Sequence, residues 1–120
     1  MIKFKDTEYQ CAMELTLALI GGKWKSLIMW YLGEDSLRFS ELRKTLPQIT
    51  QKMLTQQLRE LEHDGLVNRL VYTQVPPKVE YSLTDAGKTL LPLLTSLCDW
   101  GKNYVAAVSP TLEELQTKES

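Results

Sequence analysis

At Asp64-Gly65 the hydrophobic period of this chain changes. Upstream, apolar residues recur at helical spacing. Downstream, Leu66 to Val75 is rich in β-branched residues and tyrosine and reads as a strand. Pro76-Pro77-Lys78 makes a turn, and Val79-Glu80-Tyr81-Ser82-Leu83 returns as a second strand. A run of helices followed by one β-hairpin leaves few architectures open.

The upstream segments complete the order. Cys11, Leu15, Ala18 and Leu19 share one face of a short helix that Gly21-Gly22 stops. Trp24, Leu27, Ile28, Tyr31 and Leu32 define a second helix, ended by Gly33. Leu37 to Phe39 is brief and extended. Ser40 is the expected N-cap of a third helix, which turns Leu42 and Leu46 inward until Pro47 closes it. Thr50 caps a fourth, which buries Leu54, Leu58 and Leu61. After the hairpin, Thr84 caps a long last helix from about Asp85 to Val105 or beyond, with Pro92 inside it as a kink, and T-L-E-E-L in the tail adds a further turn. The order suits a winged helix-turn-helix: mainly α with a small β-hairpin, the third helix lying over the fourth, the fourth free to enter a major groove, and the hairpin as the wing.

Bulk properties narrow the function classes. A chain of 120 residues fits one domain, 1–120, and 43% apolar with 24% charged residues is an ordinary globular composition. A domain of this size buries a core without metal or disulfide staples. A net charge of -1 excludes a uniformly basic coat but not a local basic face. Two isolated cysteines and one histidine are too few for a structural zinc site, and this usage fits a reducing cytoplasm. No carboxylate pair, triad or metal set stands in a supporting context, so neither an enzyme nor a cofactor is expected. Gly21-Gly22-Lys23 lacks the spacing and preceding strand of a phosphate loop. His63, between Glu62 and Asp64, reads as a solvated helix end. The N-terminal stretch M-I-K-F-K-D-T-E-Y carries acids and no apolar core, so no signal peptide is expected, and no apolar run approaches a membrane span.

On the fourth helix, Gln51, Lys52, Thr55, Gln56 and Arg59 form one polar stripe opposite the leucines. Gln donates and accepts in one plane, as adenine requires. Lys and Arg reach guanine acceptors or phosphates, and Thr bonds either or touches a thymine methyl. Arg38, Arg43 and Lys44 lie nearby, and across positions 38–59 these basic residues face a single acid, Glu41. A polar helix face is commonly just solvated; the helix-turn-helix order and the following hairpin favour double-stranded DNA as its partner.

The stretches C-A-M-E-L-T-L-A-L-I-G-G-K-W-K, R-F-S-E-L-R, I-T-Q-K-M-L-T-Q-Q-L-R-E-L-E-H-D-G-L-V-N-R, Y-T-Q-V-P-P-K-V-E-Y-S-L-T-D-A-G and L-C-D-W-G, in this order, resemble the HxlR-type winged-helix transcription regulators, relatives of the MarR type. The likeness runs from about Cys11 to Tyr104. Ala12 stands where that family often has proline. The resemblance implies a homodimeric DNA-binding regulator without enzymatic activity. It implies that the stripe from Gln51 to Arg59, capped by Thr50, reads the major groove. It also implies that the wing around Pro76-Pro77-Lys78 approaches the backbone or minor groove, Lys78 through phosphate.

It further implies N- and C-terminal dimerisation helices. On the last helix Ala86, Leu90, Leu93, Leu97 and Tyr104 make one apolar row and Leu91, Leu94, Cys98 and Val105 another. One row can face the winged domain. The other, taken as Leu91, Leu94, Cys98 and Val105, can face a partner subunit. Cys98 is expected to be packed. Some regulators of this type respond to oxidants or electrophiles through a cysteine near Cys11, and a helix N-terminus favours thiolate. The alternative is a buried Cys11 packing between subunits. A small-molecule effector beside Trp24, Trp30, Tyr31, Trp100 and Tyr104 is the competing signal. A protein-interaction module is the competing function.

Overall fold

A computed structural model describes residues 1–109. The T-L-E-E-L segment lies outside the described residues. The chain divides into two compact units, one from Met1 to Lys88 and one beginning at Thr89.

The first unit starts with an element the hydrophobic period did not reveal. Strands β1 (Ile2–Phe4) and β2 (Thr7–Tyr9) pair antiparallel, with Phe4 opposite Thr7 across a Lys5-Asp6 turn. Three-residue strands are too short for an alternation to show. Helices α1 (Ala12–Ile20) and α2 (Lys25–Leu32) follow. On α2 the buried residues are Ile28, Met29 and Leu32, whereas Leu27 and Tyr31 are exposed.

Strand β3 is Leu37–Arg38, and helix α3 (Phe39–Thr45) begins directly after it. Ser40 is therefore inside the helix and is not its cap. The Arg38 main-chain N–H donates to Glu41 Oε1 at 2.8 Å, so the glutamate in the first turn caps the helix from within. Helix α4 (Gln51–His63) starts where expected: Thr50 Oγ1 accepts from the Met53 N–H at 3.0 Å. Leu42, Leu54 and Leu61 are wholly buried and Leu58 nearly so. Gly65, at φ 77, takes the left-handed conformation that lets Leu66 N–H reach back to the Leu61 carbonyl at 2.9 Å.

Strands β4 (Val67–Tyr72) and β5 (Lys78–Leu83) form the hairpin, and β3 adds to the other edge of β5, giving the antiparallel order β3-β5-β4. β4 is four residues shorter than expected, losing one at its start and three at its end. Tyr72 pairs with Lys78, so the turn is 73–77 and Lys78 belongs to the strand.

Helix α5 (Asp85–Lys88) is capped by Thr84, whose Oγ1 accepts from the Gly87 N–H at 2.9 Å and donates to the Gly65 carbonyl. The long last helix expected from Asp85 is thus two helices. In the second unit, α6 (Leu91–Val108) carries Pro92 in its first turn, where a missing N–H costs nothing. The proline marks a start, not a kink.

Candidate nucleic-acid interface

α3, the bend at 46–50 and α4 form the helix-turn-helix, and the β4–β5 hairpin follows as a wing. The amphipathic character of α4 fixes which side is offered: the leucine side is locked in the core, so Gln51, Lys52, Gln56 and Arg59 are turned outward, with Thr55 half-buried among them. These five residues and Glu60 line one open groove of about 680 Å³. Thr55 Oγ1 donates to the Gln51 carbonyl at 2.9 Å, so its hydroxyl can still accept a hydrogen bond.

Glu60 is the acid among them, and it is neutralised. Lys25, at the start of α2, reaches its Oε1 at 2.7 Å, and Gln56 Nε2 donates to its Oε2 at 3.3 Å. The Lys25 hydrogen bond holds the Glu60 carboxyl below its ordinary value. Slight desolvation opposes this, and the Lys25 charge and Gln56 amide assist it.

The expected basic residues fall in three places. Arg43 and Lys44 are exposed on the last turn of α3, where cations complement the helix dipole. Arg38 is exposed on β3, opposite Glu80 in register. Lys78 is half-buried in the strand pair next to the wing's turn, 3.4 Å from Glu80 and over the Tyr72 ring at 5.1 Å. It is not at the exposed tip, where Val75 is fully exposed. Glu80 also accepts from the Tyr72 hydroxyl, pushing that phenol upward.

One residue escaped the sequence reading. Arg69, exposed on β4 and paired with Tyr81, shares a groove with Thr55, Leu58, Arg59 and Glu62. It continues the basic stripe of α4 onto the wing. Its signal in the sequence was a cation two residues past the buried Val67, hence on the same face of β4 as that residue.

Cys11 is exposed and immediately precedes α1 as its N-cap, with extended backbone; Cys98 is half-buried on α6. The row Leu91, Leu94, Cys98 and Val105 is the less exposed one: Leu94 is buried and the others are half-buried. The exposed row is Leu93, Leu97, Trp100, Tyr104 and Val108, with Trp100 at 66% and its ring stacked on Tyr104 at 5.0 Å. Trp24 and Trp30 are half-buried. Among the described residues no cluster of metal-ligating side chains occurs, and no helix is long and apolar enough to cross a membrane.

A helix-turn-helix followed by a β-hairpin wing in a small three-stranded sheet is the fold of winged-helix transcriptional regulators. Residues 19–109 match the model of the HxlR-like helix-turn-helix family, and the chain belongs to that family. A helix-turn-helix-type transcriptional regulator of Methanothermobacter thermautotrophicus is 56% identical over 99 residues, covering 82% of this chain and 76% of that protein. Among solved structures, the redox regulator HypR in its reduced form superposes with a TM-score of 0.79 at 49% identity, over 83% of this chain and 99% of the other. The reduced transcriptional regulator YodB of Bacillus subtilis gives 0.71 at 35% identity, over 85% and 98%. All three are named as regulators.

Proposed function

We propose that this regulator acts in the cytoplasm as a homodimer, with residues 1–120 working as one domain that reads a palindromic operator in double-stranded DNA through α4. The observation that carries the reading is the outward stripe of Gln51, Lys52, Thr55, Gln56 and Arg59 on a capped helix whose other face is core. Thr50 fixes the helix start. Arg38, Arg43, Lys44 and Arg69, all exposed, would supply phosphate contacts around it. Lys78 contributes less, because Glu80 already matches its charge.

The partner subunit covers the exposed row of α6, assisted by Met13 and Leu17 of α1, which are 68% and 58% exposed. Apolar faces of this kind are expensive to leave in water. Leu91, Leu94, Cys98 and Val105 support that face from behind or at its rim. A two-fold axis then sets half-sites about one or two helical turns apart.

The signal is an oxidant or electrophile at Cys11. Its thiol is exposed at the junction of the N-terminal hairpin and α1, and HypR is described as a redox regulator. A thiol oxidant is expected to release DNA from the wild type and not from Cys11→Ser; equal release from both would remove Cys11 from the response.

Titration of a labelled random-sequence duplex at several salt concentrations tests the reading. Binding is expected to weaken steeply with salt, and Lys52→Ala with Arg59→Ala together should lower the slope of log Kobs against log salt by about 2. Salt-insensitive or absent binding would replace this reading with a protein-interaction module.

A further inference from the structure

Gln56 is the stripe residue best suited to read a base, and its amide is already hydrogen-bonded within the protein. Its Nε2 donates to Glu60 Oε2 at 3.3 Å, while Glu60 Oε1 is held by Lys25 at 2.7 Å. Only 12% of the Lys25 side chain is exposed, so its ammonium is a fixed point on α2 and not a waving surface charge. The three residues make a chain from the body of the fold to the groove.

An unrestrained glutamine can present either edge of its amide. A carboxylate, however, accepts only, so it must face the NH2 end. The flipped amide would set carbonyl oxygen against carboxylate oxygen, which is repulsive. With one N–H committed to Glu60, the amide keeps an acceptor oxygen and one N–H donor. Adenine offers the complement of that pair along its major-groove edge, a donor at N6 and an acceptor at N7.

An acid on a DNA-facing surface also carries a cost, since phosphate repels it. The close Lys25 contact offsets that charge, so the orienting carboxylate is kept without a repulsive field. Glu60 is one turn beyond Gln56 on the same helix face, and neither Glu60 nor Lys25 needs to touch a base for the effect.

We propose that Glu60 and Lys25 are positioning residues that fix the Gln56 amide in one orientation and so commit it to adenine. This rests on the reading of α4 as the base-reading helix. The two residues have different signatures. Removing Glu60 frees the amide to flip and deletes a negative charge, so discrimination falls while affinity for scrambled DNA holds or rises. Removing the Lys25 charge leaves Glu60 uncompensated, so affinity for all duplexes falls while the preference remains.

The test uses the full-length protein and a duplex selected by it, with each base pair varied in turn. Gln56→Ala identifies the position that Gln56 reads. There the wild type is expected to prefer A·T by at least about fivefold. Glu60→Ala should reduce that preference to about twofold or less with no loss of scrambled-DNA affinity, and Lys25→Met should keep the preference with weaker binding throughout. Thermal melts of each variant confirm that it is folded, which separates orientation from damage to the fold. Retention of the full preference in Glu60→Ala, or a Gln56→Ala profile unchanged at every position, overturns the proposal alone. A wild type with no base preference anywhere overturns the base-reading of α4 as well.

Discussion

Lys5 Nζ donates to the main-chain carbonyl of His63 at 2.7 Å and meets the Asp64 carboxylate at 3.2 Å, so the N-terminal hairpin is tied to the C-terminal end of α4. A cation at this point answers the unsatisfied carbonyls and the negative end of the helix dipole. Lys5 holds a positive φ of 55 in the β1–β2 turn, a conformation few non-glycine residues adopt, and this turn presents its side chain to the helix end. Lys5→Ala is expected to cost less than about 1 kcal/mol globally, because the pair is partly exposed. The local effect is sharper. Amide exchange at residues 62–66 should accelerate relative to that of Leu54 and Leu58. Unchanged exchange would mean the hairpin merely rests against the helix.

Gly87 should be intolerant of a side chain. A Cβ there would run into the Leu66 main-chain carbonyl, with Leu83 close behind. The neighbouring Thr84 links Gly65 to Gly87 by two hydrogen bonds, so the backbone has no slack with which to relax. Gly87→Ala is expected to destabilise the fold by about 1–3 kcal/mol, read from chemical denaturation. A neutral substitution would show that α5 shifts freely on the sheet.

The wing should divide its two cations. Arg69→Ala is expected to lower the salt slope of DNA binding by about 1 and to weaken all sequences alike. Lys78→Ala should leave the slope nearly unchanged and loosen the hairpin, because Lys78 is engaged with Glu80 and Tyr72. Anisotropy titrations across a salt series distinguish them. The reverse ranking would place the phosphate contact beside the turn of the wing.

The difference between these two residues shows what the sequence could and could not convey. The leucines of α4 are periodic enough to orient the helix, and orienting it placed Gln51, Lys52, Thr55, Gln56 and Arg59 together. Thr50 was legible as a cap because the hydroxyl acts within its own turn. Lys78 and Arg69 depend on strand register, and a one-residue difference in where β5 begins moves Lys78 from the turn to the paired strand. The cap at Arg38 was hidden because Glu41 supplies it from inside the helix. Pairings such as Lys5 with His63 and Lys25 with Glu60 join segments far apart in the chain, and no local period encodes them.

Acid should weaken one contact in a defined direction. The Glu60 carboxyl is held below its ordinary value by Lys25, so the pair stabilises the fold at neutral pH. That contribution is present above the unfolded value of about 4.3 and is lost as pH falls through the lower folded value. The gap in Tm between wild type and Glu60→Gln is therefore expected at pH 7 and should close near pH 3. A gap of constant size would assign the effect of the substitution to packing instead of charge.

The proposed dimer has its own handle. Trp100→Glu places a charge in the middle of the exposed apolar row of α6, beside the stacked Tyr104. Sedimentation should show a protein of half the mass, folded by circular dichroism, with weakened operator binding. An unchanged mass would direct attention to another face.

The central claim is that α4 reads sequence in duplex DNA. Repeated selection from a random duplex library by the purified protein, followed by sequencing of the bound pool, tests it most directly. An enriched palindrome, with half-sites about one or two helical turns apart, is the predicted result. A pool that remains random under reducing conditions, at salt low enough to permit binding, would contradict it.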